Sequence, residues 1–187
     1  MKPMWRILPK QFGEYNGKRV VEVERACVST NTMGFDDYLE CRKNSFVLIL
    51  LASQSFLPIF RITKELNISW FDVSQKTVEL LNDKSYNGKL KEIFNDFCVE
   101  CTEELFDTQQ EVTDFYLKEE NYKKLLKGEI GENLLAKYSA LGLFNIKEVT
   151  ETIFHVIRNK LDVKIAPELN KILDSAERWL KNVYMFE

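Results

Sequence analysis

Histidine is almost absent from this chain: 187 residues contain one, His155. Four cysteines, seven glycines and four prolines are a thin supply of the residue types from which metal sites, redox pairs and phosphate loops are built. An excess of one charge is also missing, because 26 basic and 29 acidic residues leave a net charge of −3. Nucleic-acid binders cluster excess lysine and arginine, and Trp5, Trp70 and Trp179 are too scattered for a stacking platform, so nucleic acid is not the expected partner. The longest apolar run, Phe46 to Ala52, is seven residues. A membrane-spanning helix needs roughly 20, so no segment is expected to cross a bilayer. The start, Met1 to Arg6, lacks the apolar core and small-residue cleavage site of a secretory signal. The expectation is a cytoplasmic protein with reduced thiols.

What is present is an ordinary globular composition, 45% apolar and 29% charged. A chain of this length buries roughly 70% of its unfolded surface in one compact body. Pro3, Pro9, Gly13 and Gly17 make residues 1–17 read as an irregular lead-in. From Arg19 the sequence alternates, with Val21, Val23, Arg25 and Cys27 on one side and Val20, Glu22, Glu24 and Ala26 on the other. That is a strand at about 19–29 with one wet face. No other segment alternates as clearly, so the strand's partner is expected outside this chain. The division is an N-terminal arm over 1–33 and a helical domain over 34–187.

The period changes at Thr30 to Arg42, through Gly34 and the pair Asp36 and Asp37. Those carboxylates suit the first turn of a helix, and Phe35, Tyr38, Leu39, Arg42, Phe46 and Ile49 follow at spacings of three and four. Pro58 opens a short helix to Leu66, and Ser69 to Asp72 has capping-box spacing for a helix to Leu81. Leu90, Ile93, Phe94, Phe97, Cys101 and Leu105 form the stripe of the next. Thr108 to Glu111 is a second capping box, followed by a helical pattern to Leu143 with a break near Gly128 and Gly131. Asn145 starts a helix with Val149, Ile153, Val156, Ile157 and Leu161 inward. Pro167 starts the last, with Leu169, Ile172, Leu173, Ala176, Leu180 and Val183 inward. The expected fold is mainly α, an irregular bundle of about seven helices with a short N-terminal strand.

Trp5 to Tyr15, the strand Val20 to Val28, and Asn31-Thr-Met-Gly-Phe-Asp-Asp-Tyr-Leu-Glu-Cys-Arg42 together resemble the C-terminal part of cobalamin-binding radical S-adenosylmethionine proteins. The resemblance covers roughly residues 5–45; the rest matches only in being helical. It implies a helical tail that follows a partial barrel, with an iron–sulfur cluster, S-adenosylmethionine and cobalamin held elsewhere in a parent protein. The family's cluster needs cysteines at C-x-x-x-C-x-x-C spacing. Cys27, Cys41, Cys98 and Cys101 offer no such set, and the cobalamin motif Asp-x-His-x-x-Gly is absent, so no catalytic, cofactor or metal residue carries over.

Cys98-Val-Glu-Cys101 has redox or half-zinc spacing, but Asp96, Glu100, Glu103 and Glu104 disfavour thiolate and no further ligands follow, so an ordinary buried pair is the better reading. His155 lies among Phe154, Val156 and Ile157 with no nucleophile motif, and reads as half-buried and structural. Glu100, Glu103, Glu104, Glu111 and Asp114 lack the histidines of a di-metal bundle and read as a solvated acidic face. Gly128-Glu-Ile-Gly131 lacks the strand and lysine of a phosphate loop and reads as a kink or turn. Phe46, Phe56, Phe60, Trp70, Phe71, Phe94, Phe97, Phe115 and Phe144 recur at helical spacing as core.

Two functions from different classes fit these residues. One is a non-catalytic helical domain that covers or shapes a radical S-adenosylmethionine barrel, in cis or in trans. The other is a free-standing all-helical interaction module that binds a protein partner through a groove; the remaining partner expectation is self-association through the N-terminal strand. No nucleophile, base or metal set supports an enzyme.

Overall fold

A computed structural model describes residues 2–159, 161 and 167–183. Leu161 lies beyond the eighth helix, and the side chain of Val183 lies outside the description. The chain begins with two antiparallel strands, β1 (Lys2–Tyr15) and β2 (Lys18–Ser29). Nine α-helices follow among the described residues: α1 (Phe35–Leu51), α2 (Leu57–Glu65), α3 (Trp70–Asn82), α4 (Lys89–Glu103), α5 (Gln109–Leu117), α6 (Glu119–Leu126), α7 (Leu134–Phe144), α8 (Ile146–Asn159) and α9 (Pro167–Val183). The fold is therefore mainly helical with a short sheet. Nine helices replace the expected seven because the stretch 109–144 is three helices, broken at extended Lys118 and at the turn through Gly128 and Gly131.

The lead-in is not irregular. β1 pairs with β2 along its length, so the strand's partner lies inside this chain. Asn16 and Gly17, at φ 50° and 74°, form the two-residue left-handed turn that joins twisted strands. The residues read as breakers sit at the irregularities: register shifts fall at Lys2/Pro3 and between Ile7 and Phe12, where Pro9 needs no ladder donor. On its other edge β1 meets Phe106, whose N–H and C=O exchange hydrogen bonds with Trp5 at 2.8 Å each.

The residues group into two compact units, each built from two chain segments. The hairpin unit comprises 1–42 and 97–137. Ile7, Val112, Tyr116, Tyr122 and Leu125 form its core, and Val21 and Val23 pack against that cluster. The strand's apolar side is thus covered by this chain's own helices, contrary to a bare arm. Thr108 caps α5 with a reciprocal capping box through Glu111, and Asp37 accepts from the Gly34 N–H at 2.7 Å to start α1.

The helical unit comprises 43–96 and 138–187. Phe46, Phe56, Phe94, Phe154, Leu50, Ile59, Leu81, Leu90, Ile153 and Ile157 are its largest fully buried side chains among the described residues. Ser69 caps α3 by accepting from Asp72 N–H. The expected core loses Ile49, Phe60, Phe71, Phe144 and Ile172, which are exposed. In α1 the buried set is Phe46, Val47, Leu50 and Leu51, and Ile49 falls outside it. No single helix among the described residues is long and apolar enough to cross a membrane.

Candidate functional site

The hairpin unit contains a cleft of about 210 Å³. Five glutamates line it, and among the described residues no lysine, arginine or histidine does. The last turn of α4 and the residue beyond it supply Glu100, Glu103 and Glu104; the turn between α6 and α7 supplies Glu129 and Glu132. Phe106, Phe115 and Tyr116 provide an aromatic lining, with Phe106 and Phe115 centroids 5.4 Å apart and Phe115 and Tyr116 edge-to-face at 5.0 Å. Gly131 closes the turn at φ 73°, and a Cβ there would stand 2.5 Å from Leu125 and 3.4 Å from Tyr116. The expected turn at the two glycines is the structure that brings Glu129 and Glu132 to the cleft.

The carboxylates differ in what holds them. Glu104, 15% exposed, accepts hydrogen bonds from Arg6 at 2.9 Å and Arg42 at 3.2 Å, and Arg6 also donates to Glu24 at 2.6 Å. Burial pushes the Glu104 carboxyl above the ordinary carboxylate range, with Arg6 and Arg42 opposing. Burial works against the Arg6 guanidinium too, yet Glu104 and Glu24 outweigh it and raise its pKa. Glu100 takes Lys137 at 2.7 Å on both oxygens. Glu103 and Glu132 have no cation partner among the described residues. A solvated acidic face therefore describes Glu103, Glu111 and Asp114, which are exposed, but not Glu104; β1 and α1 bring arginines 98 and 62 residues away onto it. Glu111 serves the α5 cap, and Asp114 accepts from Gln110 at 2.7 Å.

Tyr116 is 4% exposed, lines the cleft, and its hydroxyl makes no hydrogen bond among the described residues. Burial first, then the charges of Glu104 and Glu100, push its phenol up to about 12. A phenol held neutral in this way can both donate and accept at neutral pH.

The cysteine pair is split by the helix: Cys101 is buried and Cys98 is half-buried. Burial raises the Cys101 thiol, with Arg42 opposing and Glu104 adding a smaller push, so its thiolate is disfavoured by burial more than by its acidic neighbours. Cys27 and Cys41 are exposed. His155 is exposed, not half-buried. α8 turns Phe154, Val156 and Ile157 inward and carries His155 on the opposite side, with its Nδ1 3.3 Å from Asn159 Nδ2. Among the described residues no three His, Cys, Asp or Glu side chains converge at a spacing that would hold a metal ion. No protein-family model, curated protein or solved structure matches this chain.

Proposed function

We propose that this chain is a non-catalytic helical accessory domain that packs on the barrel of a larger radical S-adenosylmethionine iron–sulfur protein and shapes access to it. The observation that supports the reading is the form of the segment that carries the resemblance. Residues 5–42 make one continuous piece: the hairpin, a junction tied by Thr30 Oγ1 accepting from Met33 N–H at 3.0 Å, and the capped start of α1. β2, twelve residues long, pairs with β1 on one edge and with no strand on the other among the described residues, the position from which a sheet can be extended. The support is narrower than a bare strand would have given, because Val21, Val23 and Val28 already have cover.

The reading is tested on the gene and on the protein. The coding sequence ahead of this chain, or a neighbouring gene, should encode C-x-x-x-C-x-x-C. The barrel so identified should slow amide exchange from Val20 to Ser29 when joined or mixed with this chain. A chain whose β2 amides exchange identically with and without that barrel would sink the proposal.

A second reading is a free-standing interaction module. It is favoured by the cleft, whose concave, oppositely furnished walls of carboxylate and aromatic ring suit a recognition site. A soluble chain that folds, stays monomeric and binds a basic ligand without any barrel protein favours it.

A further inference from the structure

The lining of the cleft in the hairpin unit combines three features with separate origins. Its charge is of one sign: among the described residues, five glutamates with no basic residue, two of them without a cation partner. Its apolar part is a cluster of three rings, Phe106, Phe115 and Tyr116, with centroids 5.0–6.4 Å apart. Its polar anchor is the hydroxyl of Tyr116, a residue 4% exposed, which has no hydrogen-bond partner among the described residues. Water reaches this hydroxyl, which is not among the fully buried unpaired polar atoms, so a ligand atom can take the place of that water.

We propose that this cleft binds an alkylammonium group, as carried by a free diamine or by a lysine side chain. The aromatic faces attract the cation and cover its alkyl stem. Glu103 and Glu132 supply the counter-charge, and the low-dielectric walls of a cleft concentrate their field. The Tyr116 hydroxyl accepts from the ammonium. A bare divalent ion fits less well: it needs several oxygens within about 2.0–2.6 Å of one point, and no three carboxylates among the described residues converge for that. The volume, about 210 Å³, holds a chain of the length of a lysine side chain and excludes a folded segment. The inference does not depend on the accessory-domain reading, since every residue it uses belongs to the hairpin unit.

The test titrates the full chain with cadaverine and, separately, with N-acetyl-lysine methylamide, following amide and aromatic NMR signals with Mg²⁺ at matched ionic strength as the control. Saturable shifts are expected at Phe106, Phe115 and Tyr116. Cadaverine alone binding assigns a free amine, the lysine derivative alone assigns a side chain of a partner, and both binding assigns the shared ammonium chemistry. Tyr116→Phe and the double variant Glu103→Gln with Glu132→Gln should each weaken binding roughly tenfold, the effect of losing a hydrogen bond or counter-charge to an ionised group. The double variant changes only exposed or half-exposed side chains, so it stands as the test if Tyr116→Phe does not fold. Shifts that fail to saturate, equal shifts with Mg²⁺, or unchanged affinity in the double variant would overturn the inference.

Discussion

Each unit contains a carboxylate held by two cations, and the two behave oppositely. In the hairpin unit Glu104, between Arg6 and Arg42, has its carboxyl raised because burial outweighs both guanidinium groups. In the helical unit Glu177 on α9 meets Arg158 at 2.6 Å and Lys181 at 2.7 Å. Burial again pushes upward there, but the two cations prevail and the carboxyl is lowered. Side-chain exposure is nearly the same, 15% and 17%. What differs is the surroundings. Cation sharing does not separate them, because Glu24 shares Arg6 just as Asp174 and Glu151 share Arg158 and Lys181; more protein surrounds the Glu104 carboxylate, and there burial wins. Counting ion pairs would have ranked the two sites alike.

The difference extends to the interiors. The helical unit is held by buried aromatic and aliphatic side chains, and its buried polar side chains are hydroxyls: Thr77 donates to the Val73 carbonyl at 2.7 Å, while Ser74, Ser139 and Thr150 find no partner among the described residues. The largest loss from a single substitution is therefore expected there. Phe154→Ala empties a fully buried site on α8 and should cost about 3–5 kcal/mol. Chemical denaturation checks it, and a loss below about 1 kcal/mol would mean that the core is looser than its burial implies.

In the hairpin unit the corresponding weak point is ionic. Arg6→Met leaves Glu104 and Glu24 without their shared guanidinium and should cost roughly 2–3 kcal/mol at neutral pH, less than for a fully buried pair because Arg6 is 24% exposed. The sign with pH is definite. A carboxyl whose folded pKa lies above its unfolded value contributes stability that is complete below the unfolded value and lost as pH rises through the folded one. Removing Arg6 raises Glu104 further, so the variant should regain part of its deficit between pH 7 and pH 5. A deficit that grows on acidification over that interval would reverse the assignment.

Gly131→Ala is expected to cost about 2 kcal/mol, from a left-handed backbone and from a Cβ pressed on Leu125. Gly128→Ala, facing only the flexible end of Glu132 at 3.2 Å, should cost less. Equal losses at the two positions would show that packing against Leu125 plays no part.

The helices were readable because their signals are local. Ser69, Thr108, Pro58 and Pro167 each start a helix at or next to the residue where the chain's pattern puts the start. β1 was not, since Pro3, Pro9 and Gly13 break its alternation, although Asn16-Gly17 between Tyr15 and Lys18 is a short-range hairpin signal that could have revealed it. The cleft was legible only in pieces. Glu100, Glu103, Glu104 and the two glycines drew notice singly, but nothing local to Glu104 announces Arg6 or Arg42, and Tyr116 and Phe106 look like core until the turn at Gly131 opens beside them.

The smallest expected effect sharpens the comparison of the two carboxylates. Glu177 has its pKa lowered in the folded state, so its contribution is present above the unfolded carboxylate value and is lost as pH falls through the folded one. Its worth is discounted because solvent reaches the pair; partly exposed pairs contribute about 1 kcal/mol or less. Glu177→Gln should therefore lower the melting temperature slightly at pH 7, and the gap between variant and parent should close as pH falls below the ordinary carboxylate value. For Arg6→Met the gap begins to narrow at higher pH, because Glu104 takes up its proton earlier. Melting curves of parent and both variants from pH 3 to pH 7 place the two closures in order. If both gaps closed over the same interval, the surroundings of Glu104 and Glu177 would be electrostatically equivalent, and burial beside the cleft would have no hold on Glu104.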